Sequence, residues 1–198
     1  MKSLLIKNGF LASPVNGYRR TKKDLLLRNG KIAQIAETLE PADVSCVMDA
    51  TGCIVTPGFI DIHTHCYPDT FLGLAPDVLG IERGSTTIVD AGSSGSDNYE
   101  HFRTQYINRS KTKVFTLLNI SKEGLVKGHE LDAPEKVDVL ALKAVAEKYS
   151  DNIIGLKARA SASVVGEMGL APIALAAKTA KEIGKPLTVH VGNYPPAL

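Results

Sequence analysis

Two histidines separated by one residue follow an apolar stretch, PGFIDIHTH at residues 57–65. Side chains alternate between the two faces of a strand, so His63 and His65 are expected to point the same way. Imidazole nitrogen is a common ligand of zinc and similar ions. A histidine pair at the carboxyl end of a buried strand therefore predicts a divalent metal site.

Two later apolar stretches end in the same way, IIGLKAR at 153–159 and LTVHVG at 187–192. Their alternation places Lys157 and His190 opposite the apolar face, at the strand ends where the histidine pair is expected. Taken singly, a strand-end histidine is usually structural, and such a lysine is usually solvated. A free ammonium would also be repelled by a metal ion. A Lys157 carbamate formed with CO₂ removes this conflict, because it is an anionic oxygen ligand.

Two further residues are candidates for binding substrate. Arg159 follows Lys157 on the same face and would either pair with a substrate carboxylate or remain a charge at the surface. His129 lies in the loop after the third strand of the alternating region, on the side where barrel enzymes place their sites. It would either contact substrate or be solvated.

The predicted secondary structure differs between the first 53 residues and the rest of the chain. Residues 1–53 contain short strand patterns, with Asn29-Gly30 as a hairpin signal, and predict part of a small β-sandwich. Residues 54–198 alternate strands with helices and predict the first part of a TIM (β/α)8 barrel, with about five strands. No glycine-rich phosphate loop follows the first of these strands, which argues against a dinucleotide-binding sheet. The barrel strands are expected at 54–63, 86–91, 113–120, 152–158 and 186–191, with the clearest helices at 135–149 and 171–183.

Composition indicates a globular protein. The 198 residues include 44% hydrophobic and 22% charged residues, with 23 basic against 21 acidic side chains. This balance predicts no nucleic-acid partner, and the longest apolar runs are too short for a membrane span or signal peptide. Three cysteines are an odd number without a CxxC pair, which favours reduced thiols and a cytoplasmic location.

Four stretches together resemble the amidohydrolase superfamily, in the order in which that family has them: PGFIDIHTH, GSTTIVDAG at 84–92, GLKAR at 155–159 and TVHVG at 188–192. The segment 154–196 is most similar to the amidohydrolase/deacetylase group, which includes dihydroorotase-like and adenine deaminase-like members. The resemblance implies a distorted TIM barrel with a composite β-sandwich and two metal ions, usually Zn²⁺. His63 and His65 would bind the more buried ion, carbamylated Lys157 would bridge, and His190 would bind the second.

The expected activity is hydrolysis of an amide or ester bond in a small polar metabolite by a metal-activated hydroxide. The resemblance also implies a later histidine and a proton-shuttle aspartate. The chain is therefore expected to be an incomplete N-terminal part, inactive alone, in preference to the alternative of a natural half that needs a partner. Its open strand edges could lead to a homo-oligomer. Two alternatives remain: a Schiff-base aldolase that uses Lys157, and a non-catalytic scaffold of the same fold.

The histidine pair leads to a direct prediction. His63→Ala or His65→Ala should sharply reduce the metal retained by the purified protein, because both side chains are expected to be ligands. His101→Ala, in a stretch expected to be an exposed helix, should change it little. Metal content by elemental analysis measures this, and equal losses in all three variants would refute the assignment.

Overall fold

The computed structural model describes residues 3–192, which divide after Pro57 into two compact units. The first unit is a five-stranded sheet built around its first strand, β1. β2 pairs with β1 antiparallel and with β3 through the predicted Asn29-Gly30 turn, where both residues have positive φ. Two short strands run parallel to β1. The strands are β1 (Ser3–Ser13), β2 (Tyr18–Arg28), β3 (Lys31–Ala36), β4 (Cys46–Asp49) and β5 (Ile54–Val55).

A buried carboxylate, Asp24, holds a bulge in this sheet. The β1–β2 register shifts between Ile6 and Gly9, and Asn8 has a φ of 64°. Asp24 accepts hydrogen bonds from the backbone N–H of Asn8, at 2.8 Å, and of Leu39, at 2.9 Å. Burial disfavours the ionised carboxyl, but these two donors and the Lys7 ammonium outweigh it and lower the pKa of Asp24.

The second unit is a curled parallel sheet with the strand order β10-β9-β8-β7-β6. The prediction of about five parallel strands, alternating with helices after a small β-sheet, is confirmed. The strands are β6 (Phe59–Thr64), β7 (Ser85–Ala91), β8 (Lys113–Asn119), β9 (Ile153–Arg159) and β10 (Leu187–His190). The helices are α1 (Pro76–Leu79), α2 (Tyr99–Gln105), α3 (Val139–Lys148), α4 (Ala162–Val165) and α5 (Ala171–Glu182), with 3₁₀ turns at Pro14–Asn16, Ile81–Arg83, Ile107–Arg109, Pro134–Lys136 and Gly166–Met168.

The single strand expected over residues 54–63 is wrong, because the structure divides it. Ile54 and Val55 pair with β1 in the first unit, and β6 begins the second sheet at Phe59. Between them lies Pro57, which has no N–H to donate to either sheet. The units consequently separate after Pro57 rather than after residue 53.

The core of the second unit lies between its sheet and its helices. Leu118 of β8 and Leu156 of β9 are fully buried, and they pack with Phe102 of α2, Leu142 of α3 and Ala176 of α5. Because β9 lies between two other strands, its side chains are enclosed more than those of the edge strands. Within residues 3–192, no helix combines the length and apolar character needed to cross a membrane.

Asp24 leads to a prediction for stability. Asp24→Asn should lower the free energy of unfolding by about 1–3 kcal/mol at pH 7, because it weakens two buried hydrogen bonds and removes a charge. The folded-state pKa lies below the unfolded one, so the contribution of Asp24 is fully present above the unfolded pKa, near 3.8, and is lost as the pH falls through the folded value. Urea unfolding of both proteins at pH 7 and pH 3 measures this.

Asp43→Asn is the matched control, since Asp43 is exposed and Asn tolerates its φ of 56°. Its effect should be within about 0.5 kcal/mol of zero. A loss for Asp24→Asn that equals the control, or that does not shrink at low pH, would contradict the role given to this carboxylate.

Candidate metal centre

The histidine pair lies at the carboxyl end of β6. The ring centroids of His63 and His65 are 5.6 Å apart, with an interplanar angle of 77°. Thr64, between them, is buried and donates its hydroxyl hydrogen bond to the carbonyl of Val89 at 3.0 Å. His63 is exposed, and His65 is partly buried. The end of β6 therefore presents two imidazoles close together, while Thr64 between them is hydrogen-bonded to β7.

Lys157 of β9 is buried, with 1% of the residue exposed. Its Nζ has no hydrogen-bond partner among residues 3–192. The stem of the side chain passes close to Gly92, where a Cβ would lie only 2.5 Å from Lys157 Cγ. Gly92 also has a φ of 84°, and its carbonyl accepts a hydrogen bond from Asn119 Nδ2 at 2.9 Å. Glycine at this position is thus required by both backbone conformation and space.

Parallel pairing brings the next candidates beside Lys157. In the register of β10 with β9, Thr188 is opposite Lys157 and His190 is opposite Arg159. His190 is exposed.

Arg159 is engaged by a carboxylate of the protein itself. Its Nε donates to Glu130 Oε1 at 2.5 Å, and its Nη2 donates to Oε2 at 2.6 Å. The Glu130 side chain is only 1% exposed, and Nη2 also donates to the carbonyl of Gly128. A substrate carboxylate would have to compete with this bidentate pair. Glu130 was not among the candidates from the sequence, although it directly follows His129.

The loop histidine, His129, hydrogen-bonds to the backbone and not to another candidate site residue. His129 is exposed, and its Nδ1 lies 2.7 Å from the carbonyl oxygen of Ser163 in α4, to which it donates. The structure therefore connects His129 to backbone, whereas His63, His65, Lys157 and His190 share one edge of the sheet.

The charge of Lys157 affects the pKa values of all three histidines, which indicates that the four side chains lie near one another. Burial lowers the pKa of His65 to about 4, assisted by His63 and then Lys157. His63 and His190 are exposed as whole residues, but partial desolvation of their rings, followed by the charge of Lys157, also lowers their pKa values. Burial and then Arg159 lower the pKa of Lys157 itself, against an opposing effect of Asp90. Neutral imidazole is the form that binds metal ions.

The donor types suit a metal ion, with a lysine as the unusual member. Within residues 3–192, no three His, Cys, Asp or Glu side chains form a cluster that could hold a metal ion. The pKa values of His63, His65 and His190 are instead lowered in part by Lys157, whose buried amine has no hydrogen-bond partner in that range. Such an orphaned polar group is costly unless something binds or modifies it. The arrangement therefore fits a metal centre only if Lys157 becomes an anionic ligand.

A buried carboxyl group, Asp90, is connected to the histidine pair through hydrogen bonds of neighbouring residues. Asp90 of β7 accepts the backbone N–H of Cys66 at 2.8 Å and that of Ser93 at 2.7 Å. Ser93 Oγ is 3.1 Å from Nδ1 of His65. Sequence reasoning did not select Asp90 or Ser93, although Asp90 lies within the stretch GSTTIVDAG.

Known proteins similar to this chain are hydrolases by name. A deacetylase of Enterococcus faecalis (strain ATCC 700802 / V583) is 36% identical over 197 residues, which are 98% of this chain and 52% of that protein. Among solved structures, a dihydroorotase matches with a TM-score of 0.90 and 32% identity, over 100% of this chain and 53% of the other. An adenine deaminase matches with a TM-score of 0.86 and 36% identity, over 99% and 52%. No family model matches.

The close approach of Gly92 to Lys157 leads to a prediction. Gly92→Ala and Gly84→Ala both place a side chain at positive φ, which costs about 1 kcal/mol. Only at Gly92 would the new Cβ meet another side chain, since nothing lies within 4 Å at Gly84. Gly92→Ala should therefore cost about 1–3 kcal/mol more than Gly84→Ala in urea unfolding. Equal losses would mean that Lys157 does not pass over Gly92 as described.

Proposed function

Because this chain belongs to the amidohydrolase superfamily and spans about half the length of the relatives it matches, we propose that it forms the N-terminal part of a metal-dependent hydrolase. The bond cleaved would be an amide or ester of a small polar metabolite, as in a deacetylase or cyclic amidase. The match to a named deacetylase over 98% of the chain supports the class. The buried, unpartnered amine of Lys157 beside neutral imidazoles is the observation that carries the proposal.

Lys157 would act as a carbamate. An ammonium buried without a partner is disfavoured, which lowers the pKa of Lys157 and favours the neutral, nucleophilic amine. Attack of Nζ on CO₂ forms a nitrogen–carbon bond, and loss of one proton leaves an anion with two oxygen donors. This change would turn a group that repels metal ions into a ligand.

The residues that would hold the metal are His63, His65, carbamylated Lys157 and His190. Imidazole and carboxylate-type oxygen suit zinc, which is the ion we propose. When bound, such ions lower the pKa of water and polarise a carbonyl. The pair of Arg159 and Glu130 would border the substrate beside His190, with Arg159 held in a fixed orientation by two hydrogen bonds.

Two further proposals concern the setting of the enzyme. A cytoplasmic location is supported by three free cysteines, of which Cys46 and Cys53 are exposed. A homo-oligomer is also proposed for the full-length protein.

A Schiff-base aldolase would also need a neutral lysine. That reaction would not use the imidazoles of His63, His65 and His190 as ligands or catalysts. None of the relatives described above is named as an aldolase. Borohydride should therefore fail to trap a carbonyl compound on Lys157. A non-catalytic scaffold would bind no metal when purified with zinc and bicarbonate.

Replacing Lys157 tests the proposal in the full-length protein. Lys157→Ala should abolish hydrolysis of N-acetyl amino acids, O-acetyl hydroxy acids or dihydroorotate, whichever the wild type accepts, because the anionic ligand is lost. Formate, acetate or propionate should partly restore turnover by filling the vacated position with a carboxylate.

Lys178→Ala, in the exposed face of α5, is the control and should retain activity. Full activity in Lys157→Ala would contradict the carbamate proposal. A wild-type enzyme with no turnover on any of these substrates would argue against the hydrolase classes named.

A further inference from the structure

Hydrogen bonds connect a buried carboxyl group, Asp90, through Ser93 to His65 of the histidine pair. We infer that Ser93 is a positioning residue that accepts the Nδ1 proton of His65 and so leaves the Nε2 lone pair for a metal ion. The inference rests on the proposed function, because it concerns the metal of that same site. It adds a residue to the site that neither the histidine motif nor Lys157 points to.

The backbone of Ser93 is held on both sides. Its N–H donates to Asp90 Oδ1 at 2.7 Å, and its carbonyl accepts the N–H of Leu125 at 2.9 Å. Gly124 is so close that a Cβ there would lie 2.3 Å from the Ser93 carbonyl oxygen. Ser93 is fully buried. Its hydroxyl is therefore presented to His65 from a fixed point of the chain.

The direction of the hydrogen bonds follows from Asp90. The oxygens of Asp90 accept the backbone N–H groups of Ser93 and Cys66. Burial raises the pKa of Asp90, and the Ser93 hydroxyl is among the groups that oppose this by favouring the ionised carboxyl, which can only accept hydrogen bonds. A Ser93 hydroxyl that donates to Asp90 keeps its oxygen lone pairs for Nδ1 of His65, 3.1 Å away. His65 then donates from Nδ1, and its Nε2 carries no proton.

The same carboxylate also fixes the backbone of His65. Asp90 Oδ2 accepts the N–H of Cys66, the residue that follows His65. One buried group on β7 thus restrains both the main chain beside the ligand and, through Ser93, its ring. Hydrogen-bond partners of metal-bound histidines typically contribute about 10–100-fold to metal affinity.

Ser94 provides a matched control. It is the next residue in the same turn, it is also fully buried, and its hydroxyl has no hydrogen-bond partner among residues 3–192. Ser94→Ala removes the same oxygen atom from the same loop without touching His65. The difference between the two alanine variants therefore isolates the hydrogen bond to the imidazole.

The experiment measures Zn²⁺ affinity by chelator competition in the full-length protein, with the metal alone as ligand. Ser93→Ala should bind Zn²⁺ about 10–100-fold more weakly than wild type, whereas Ser94→Ala should match wild type. Ser93→Thr, which keeps the hydroxyl, should retain most of the affinity. Thermal unfolding of the metal-free variants shows whether a loss of affinity reflects a loss of fold.

A second measurement needs no variant at Ser93. In metal-free protein labelled with ¹⁵N-histidine, the His65 signals, assigned by comparison with His65→Gln, should show the Nδ1-protonated tautomer at neutral pH. The Nε2-protonated tautomer would overturn the inference even if Ser93→Ala failed to fold. Equal affinities for Ser93→Ala and Ser94→Ala would also overturn it while leaving the proposed function intact. A wild-type protein that binds no Zn²⁺ would overturn both.

Discussion

Parallel pairing from β6 to β10 is the constraint on which the candidate site depends. Strands that run the same way bring their carboxyl ends to one edge, and the register of β10 with β9 sets His190 opposite Arg159. Residues from three distant parts of the chain meet there as a result. An antiparallel arrangement would have sent Lys157 and His65 to opposite edges.

Burial makes this edge chemically unusual. Two carboxyl groups there, Asp90 and Glu130, are buried, but each has partners: backbone N–H groups donate to Asp90, and Arg159 donates to Glu130. Lys157 is equally buried and has no such partner in the described chain. Strongly shifted, uncompensated ionisable groups are typical of functional sites. The space for this lysine depends on the absence of a side chain at Gly92, the residue that follows β7.

Much of the architecture could be predicted because it depends on local patterns. β7, β8, β9 and β10 begin and end within one residue of the bounds expected from the sequence. The exception is informative: residues 54–63 have one continuous apolar pattern, and only pairing partners divide it between two sheets. Periodicity reports which residues can be buried, but it does not report in which sheet.

The sequence by itself determined the residue types and their alternation: two imidazoles on one face of β6, and Lys157 and His190 in matching positions on later strands. Tertiary structure decided which partners those side chains meet. It paired Arg159 with Glu130, connected His129 to Ser163, and placed Ser93 beside His65. These contacts join residues 28 to 34 positions apart. The physical reason is that alternation along a strand is a local property of the backbone, whereas hydrogen bonds depend on distances that exist only after the strands have paired.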